Sequence, residues 1–494
     1  MPRIAILLLL LLTHASAASL SDSPAAADDF SGKPRLFVLT DIGNEPDDQM
    51  SLVRLLLYSN ELDLEGLVAT TSTWQKDRVQ PQMLLEVIHA YGEVQPNLLK
   101  HSPGYPPAAT LENIVASGPS TYGMAGISAR LSSGAATLLA AAGKKDSRPL
   151  WITVWGGANT LAEALRTLRA SRPADLDPIV HRLRVYSVSD QDDAGPWIRR
   201  EFPQLVYIVK PSTPDSAEYG TATWTGISGD VFYANCEGAD PALVTNPWLD
   251  EHIRGKSALG RHYPRFAFIM EGDTPSFLGL LANGLESYRS PSWGGWGGRY
   301  LYRQPYGESR AIWTQGGDVY PRVTSRDAVI GIDGKLHTSD QATVWRWRAA
   351  YQNDFAARMD WTIKDFASAN HAPNVVVNGV AGKAPLSVDA TVGQPLHFDA
   401  AGTQDPDGNA LGYRWFHYPE AGFVPGGAVA DVSISDSDRS AMTVTPTVAC
   451  RPDWQQSNKS CHQGVAHLIL AVTDDGTPAL TSYRRVILNV KDVR

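Results

Sequence analysis

Apolar residues fall in short runs separated by longer stretches of helical period. Leu36, Phe37, Val38 and Leu39 form an unbroken apolar run that ends at Thr40-Asp41. A 3.6-residue pattern starts near Pro46 and continues through Met50, Leu52, Val53 and Leu56. Continuous short runs of this kind read as strands buried on both faces, and the following period reads as a helix with one apolar stripe. The unit recurs. Gly66–Thr71 precedes Met83, Leu84, Val87, Ile88 and Tyr91, and Leu150–Val154 precedes Leu161, Ala164, Leu165 and Leu168. Leu183–Val188 precedes a helix through Trp197 and Ile198 and then Leu205–Val209, while Phe266–Met270 precedes Phe277, Leu280 and Leu281. Alternating strands and helices predict an α/β domain, a mostly parallel sheet flanked by helices on both faces. Ligands of such sheets sit outside the carboxyl ends of the strands, so the residues just after each strand carry the chemistry.

Past about Asp365 the period shortens to that of half-buried strands. Val375–Val377, Leu396–Phe398, Tyr413–Phe416, Met442–Val444 and Leu468–Val472 are β-rich runs, separated by turn clusters such as Asp405-Pro406-Asp407-Gly408 and Asp474-Asp475-Gly476. Regular short strands with such turns predict an antiparallel Ig/cadherin-like β-sandwich over 373–494, the break falling at Ala369–Pro373. Trp415 follows the alternation of a core strand. At the other end, Arg3, the apolar run Ile4–Leu12 and Ala15-Ser16-Ala17 have the order of a signal peptide over 1–17, which predicts a secreted or periplasmic protein. Nothing later approaches the length of a membrane span. Export makes a Cys450–Cys461 disulfide the favoured arrangement, two unpaired thiols being the alternative, with Cys236 left single.

Composition narrows the function. A net charge of -9 argues against a protein that tracks a nucleic-acid polymer by its phosphates. The 14 Trp and 18 Tyr supply flat faces suited to a core or to sugar rings.

The strand ends are acidic. Asp41, Glu45, Asp47 and Asp48 crowd the first corner, where they repel one another unless a cation sits among them; a hard ion such as Ca²⁺ takes several oxygen ligands. Helix capping accounts for one or two of these acids, hardly four. Trp155-Gly156-Gly157-Ala158-Asn159 lets the third corner turn tightly, so that a main-chain carbonyl can face the same centre. Asp190, Gln191, Asp192 and Asp193 follow the fourth strand, and Glu271-Gly272-Asp273 follows the Phe266–Met270 run. Trp293 and Trp296, set among glycines, read equally well as a sugar-stacking platform or as a packed loop.

These corners resemble those of the nucleoside hydrolase fold. More specifically, Asn44–Asp48, Ser189–Gly195 and Ser292–Tyr300 are similar to the secreted nucleoside-hydrolase-like proteins often labelled cellulose-binding proteins, which carry a β-sandwich after the hydrolase-like domain. The resemblance covers nearly all the mature chain and implies a nucleoside-hydrolase-like domain over 33–368. It implies Asp41 and Asp48, the Trp155 carbonyl and Asp273 as Ca²⁺ ligands, Asp47 as general base, and Glu45, Asn159, Gln191, Asp192, Asp193 and Glu271 as substrate contacts, beside the candidate platform Trp293 and Trp296. Nucleoside hydrolases carry Asp-x-Asp-Pro-Gly-x-Asp-Asp at the first corner; here Thr40-Asp41 lacks the first Asp, two extra residues separate Asp41 from the Asp pair, and Gly272 stands where several members have His. The expected activity is Ca²⁺-dependent hydrolysis of a glycosidic bond, N-ribosyl or O-linked pentofuranosyl from a cell-wall glycan. The alternative is a non-catalytic carbohydrate-binding protein that keeps the fold. The expected partner is a small carbohydrate or nucleoside, with self-association into a homo-oligomer left open. Glu271 and the Asp190–Asp193 group are the candidates for a leaving-group acid.

Overall fold

The computed structural model describes residues 28–128, 130–212, 216–317, 324–421, 428–450 and 462–493. The expected signal peptide and Cys461 lie outside the described residues. Cys450 is disulfide-bonded, and Cys236 is a buried free thiol.

Eight strands form the main sheet: β1 (Arg35–Thr40), β2 (Asp63–Ala69), β3 (Val115–Ser117), β4 (Leu150–Val154), β5 (Leu183–Ser187), β6 (Val206–Ile208), β7 (Leu301–Arg303) and β8 (Ile312–Thr314). Their order is β3-β2-β1-β4-β5-β6-β8-β7. All neighbours are parallel except the edge pair β7/β8. Every residue of β1 is buried, and its alternation divides it between two cores. Leu36 and Val38 join the cluster containing Leu52, Val53, Ile88, Tyr91 and Phe355; Phe37 and Leu39 join the one containing Leu138, Leu161, Leu165 and Ile198. The unbroken apolar run at Leu36–Leu39 is the signature of that two-sided burial.

The order has a functional consequence. From β1 the chain builds outward through β2 and β3, and from β4 outward in the opposite direction. The reversal leaves a crevice beyond the adjacent carboxyl ends of β1 and β4, where open α/β sheets bind ligands.

Two local expectations differ from the structure. Phe266–Met270 forms no strand; the segment runs as irregular chain into the short helix Pro275–Leu278. Phe268 and Ile269 are recruited to the wall of the crevice and Met270 to the core instead of to a ladder. The antiparallel edge β7/β8 and the hairpin Asp327–Ile330/Leu336–Ser339 come from a glycine-rich stretch whose polarity has no strand period.

The C-terminal part is a sandwich of a four-stranded sheet (Leu386–Thr391, Thr481–Lys491, Gln463–Asp474, Leu411–His417) and a three-stranded one (Leu396–Asp399, Ala441–Val448, Asp431–Ser435). Pairing is antiparallel except between Leu386–Thr391 and Thr481–Lys491. Trp415 is buried in its core against Phe398, as the alternation predicts. The Asp405 carboxylate accepts from the backbone N–H groups of Asp407 and Asn409, ordinary turn chemistry. The sandwich is anchored by buried polar groups. Arg485 donates to the carbonyls of Leu285 (2.7 Å), Trp293 (3.1 Å) and Gly294 (2.9 Å), and Tyr418 donates to Asp327 at 2.5 Å.

Candidate active site

β1 delivers Thr40 and Asp41 to the crevice, and the corner Ile42–Pro46 leads into the helix Asp47–Leu57. Asp47 and Asp48 therefore occupy the first turn, where the helix dipole favours negative charge. The Thr40 hydroxyl donates to Asp48 Oδ1 and its oxygen accepts the Ile42 N–H at 3.1 Å, which fixes the Asp48 carboxylate. β4 delivers Trp155. The two glycines after it are steric requirements. A Cβ on Gly156 would lie 2.7 Å from Asp41 Oδ1, and one on Gly157 would lie 2.6 Å from both Asp192 Oδ2 and the Thr71 carbonyl. Gly272 holds the Glu271–Asp273 segment close in the same way, since a Cβ there would come within 2.8 Å of Asp47 Oδ2.

Carboxylate oxygens of Asp47, Asp48 and Asp273 lie within 4.8 Å of one another. Asp41 and Glu45 line the same cleft, of about 240 Å³. At that spacing, with an effective dielectric of about 20, each pair of ionised carboxylates repels by roughly 3–4 kcal/mol. Among the described residues, no Lys, Arg or His lines the cleft to offset it. Burial, then neighbouring acids, push Asp47 up to about 8, Asp48 and Asp273 well above the ordinary range and Glu45 upward, while burial alone raises Asp41 against its hydrogen bonds. Asp273 Oδ2 is buried without a hydrogen-bond partner. Hard oxygen donors, excess negative charge and an orphaned carboxylate oxygen fit a divalent cation seated on Asp48 and Asp273, with Asp41 and Asp47 beside it.

Of the residues expected from sequence, the fold brings Asp41, Glu45, Asp47, Asp48, Trp155, Gln191 and Asp273 to this cleft. Gln191 Nε2 donates to the Trp155 carbonyl at 2.6 Å, which orients the carbonyl expected to face the metal.

The other expected contacts lie elsewhere. Asn159 spends its amide on Thr71 Oγ1 (3.0 Å) and the Thr121 carbonyl (3.1 Å). The Asp192 carboxylate takes the backbone N–H groups of Asn159 and Ala194, both at 3.0 Å, and burial raises its pKa to about 7; it pins two corners together. Asp193 accepts from the Met124 N–H at 2.7 Å on the outer surface. Asp190 is paired with Arg199 at 2.7 Å. Glu271 is turned away, with positive φ (+58°) and full burial. It is held by Arg54 (2.6 Å) and the Tyr263 hydroxyl (2.5 Å), so it is a structural anion and not a substrate contact. Trp293 and Trp296 do not line this cleft. Trp293 packs on His467 and under Arg485, and Trp296 packs between Tyr351 and Tyr483, both at the seam with the sandwich. Packing at that seam buries Trp296 and leaves Trp293 half-buried.

Sequence reasoning missed the walls. Trp74, Ser189, Tyr219, Trp224, Phe232, Tyr233 and Phe268 line the cleft from irregular or 3₁₀ segments, where side-chain direction has no period to read. Their one sequence signal is aromatic residues in otherwise polar stretches.

Residues 35–300, more than half the chain, match the family model for the nucleoside hydrolase-like domain of cellulose-binding Sde182, and residues 395–490 match the C-terminal domain of cellulose-binding protein Sde0182. No curated protein matches. A solved nucleoside hydrolase-related hypothetical protein from Saccharophagus degradans, described as associated with carbohydrate metabolism, is 34% identical. The alignment covers 93% of this chain and 100% of that one with a TM-score of 0.75. The effector protein XOO4466 (11% identity, 68% of this chain and 95% of that one, TM-score 0.31) and the PKD domain from KIAA 1837 (17%, 22% and 81%, TM-score 0.15) score too low to support an argument. The matched model and the alignment across both domains agree: the chain belongs to the cellulose-binding Sde182 family, whose N-terminal domain is nucleoside hydrolase-like.

Proposed function

We propose that this protein is an exported, Ca²⁺-dependent hydrolase of glycosidic bonds in carbohydrate, cleaving N-ribosyl or O-linked pentofuranosyl linkages. The observation that carries the reading is the convergence of Asp47, Asp48 and Asp273 at the β1/β4 switch point, beneath a cleft that no cationic side chain lines among the described residues. Asp48 and Asp273, with Asp41 and the Trp155 carbonyl, would hold the ion. When bound, a divalent cation supplies the positive charge the cluster needs and makes water a better nucleophile at neutral pH. Asp47, which keeps some exposure, accepts the proton of the attacking water. Glu45, half-buried at the same corner, is placed to accept a hydrogen bond from a sugar hydroxyl. Attack by water without a covalent intermediate predicts inversion at the anomeric carbon. The family description as cellulose-binding supports a glycan over a nucleoside, and a carbohydrate polymer is met outside the cell.

One observation favours a second reading, a carbohydrate-binding protein that has kept the hydrolase fold. An alkoxide leaving group needs an acid, yet Glu271 is locked to Arg54 and no histidine lines the cleft among the described residues.

The test begins with chelator-treated protein, which should bind about one equivalent of Ca²⁺ by calorimetry. Nucleosides and aryl pentofuranosides are then screened for cleavage. Asp47→Asn should lower turnover at least ~100-fold, with ligand affinity changed far less. A wild type that binds glycan, cleaves nothing and is matched in binding by Asp47→Asn establishes the second reading.

A further inference from the structure

Two independent features of the cleft point to its ligand. The first is the state of its polar atoms. Gln191 Oε1, Trp224 Nε1 and Asp273 Oδ2 are buried, find no hydrogen-bond partner among the described residues and belong to residues that line this one cleft, beside the Tyr219 and Ser189 hydroxyls, which pair with each other. Buried polar atoms are ordinarily paired, and each left unpaired costs about 1–3 kcal/mol. The set mixes an indole donor with amide and carboxylate acceptors. A ligand rich in hydroxyls, each able to donate and accept, satisfies such a mixture.

The second feature is the rim. Large aromatic rings are normally covered, yet Trp74 (42% exposed), Phe232 (53%) and Phe268 (46%) stand open at the mouth. They are braced in two chains of edge contacts. Phe232 meets Phe268 at 5.2 Å and Tyr233 at 5.0 Å between ring centroids; Trp74 meets Tyr219 at 6.4 Å, and Tyr219 meets Trp224 at 5.8 Å. Each edge-to-face pair uses one face of one ring, and the exposed surface left on Trp74, Phe232 and Phe268 suits the C–H face of a sugar.

Size and charge then select within carbohydrates. About 240 Å³ is small for a ligand pocket, enough to enclose one ring and leave the next at the rim. Five carboxylates line the cleft, and no described cationic side chain does, so a phosphorylated or uronic-acid ring meets repulsion that a neutral one does not.

We infer that the cleft binds a neutral oligosaccharide of at least two rings. One ring is hydrogen-bonded over the acid floor, and the next packs on Trp74, Phe232 and Phe268, which set the preference for glycan over monosaccharide or nucleotide. This rests on the reading of the cleft as a carbohydrate site but not on turnover.

The experiment measures binding, with turnover scored separately. Intact Ca²⁺-loaded protein carrying Asp47→Asn is titrated with cellotriose, xylotriose and α-1,5-arabinotriose, with their monosaccharides and with trigalacturonate. At least one neutral trisaccharide should bind ten-fold or more tighter than its monosaccharide and than trigalacturonate. Adding Phe232→Ala and Phe268→Ala, or Trp74→Ala, should erase most of that ten-fold advantage while Ca²⁺ affinity and melting temperature hold. Tyr306→Ala, an exposed ring that does not line the cleft, should change nothing. The proposal is overturned if no neutral trisaccharide binds, if trigalacturonate binds as well, or if the rim variants keep the trisaccharide advantage. Tight, rim-dependent binding by a wild type that cleaves none of the sugars sinks the hydrolase reading and leaves this one standing.

Discussion

Replacing Glu271 by Gln tests whether that residue belongs to the chemistry or to the frame. In the fold its carboxylate and the Arg54 guanidinium are both fully buried, 2.6 Å apart, with Tyr263 donating to the same carboxylate. Arg54 also donates to the Tyr351 carbonyl at 3.2 Å and lies 3.9 Å over the Phe355 ring, so it cannot swing out to water. The substitution keeps volume but strands the guanidinium without its counter-charge. Removing one member of a buried pair costs about 3–5 kcal/mol. Gln still accepts a hydrogen bond, which places Glu271→Gln near ~3 kcal/mol. With a urea dependence of about 3 kcal/mol per molar, the top of the range for small proteins, the midpoint falls by about 1 M. Equilibrium urea unfolding followed by Trp fluorescence reads this directly. Arg54→Met combined with Glu271→Leu should recover much of the loss, because the two charges then leave the interior together. Below the transition, ligand affinity of the remaining folded protein should stay within about two-fold of wild type. If Glu271→Gln unfolds within ~0.5 kcal/mol of wild type but selectively loses ligand or turnover, the carboxylate faces the substrate and the assignment is wrong.

Two further outcomes follow from the geometry. Gly156→Ala places a methyl against Asp41 Oδ1, so Ca²⁺ affinity measured by calorimetry should fall at least ten-fold with little change in unfolding; unaltered affinity would remove Asp41 from the metal site. His467 is fully buried and accepts from Arg485 at 2.8 Å; burial, then the Arg485 charge and His417, hold it well below the usual histidine range. The folded chain therefore refuses a proton that the unfolded chain takes below about pH 6.5, so stability is present above that pH and declines as pH falls, by up to ~1.4 kcal/mol per unit. Melting curves of wild type and His467→Gln between pH 7.5 and 5 should converge at low pH; parallel curves would contradict the assignment.

Much of the framework was legible in the order of residues, for local reasons. A strand covered on both faces has to be apolar throughout, so Leu36–Leu39 announced the sheet centre; a helix with one covered face has to repeat every 3.6 residues, so Leu161–Leu168 announced its partner. The first corner was legible because Asp41, Glu45, Asp47 and Asp48 are near in sequence and hence near in space. What joins Asp273 to them is tertiary. It arrives from an irregular segment, and only the close approach permitted by Gly272 sets it against Asp47. Two positions earlier, Glu271 has the same carboxylate and faces the opposite way, because a left-handed backbone and the buried Arg54 capture it. Trp293 and Trp296 read equally well as a platform or a packed loop, and packing against the sandwich draws both away from the cleft, while Trp74, Phe232 and Phe268 stay uncovered at its mouth. Residue type and spacing determine which groups a segment offers and which face of a regular element they share. In irregular chain no repeat fixes direction, and whether a ring or a carboxylate meets solvent, substrate or a neighbour is decided by the elements that pack around it.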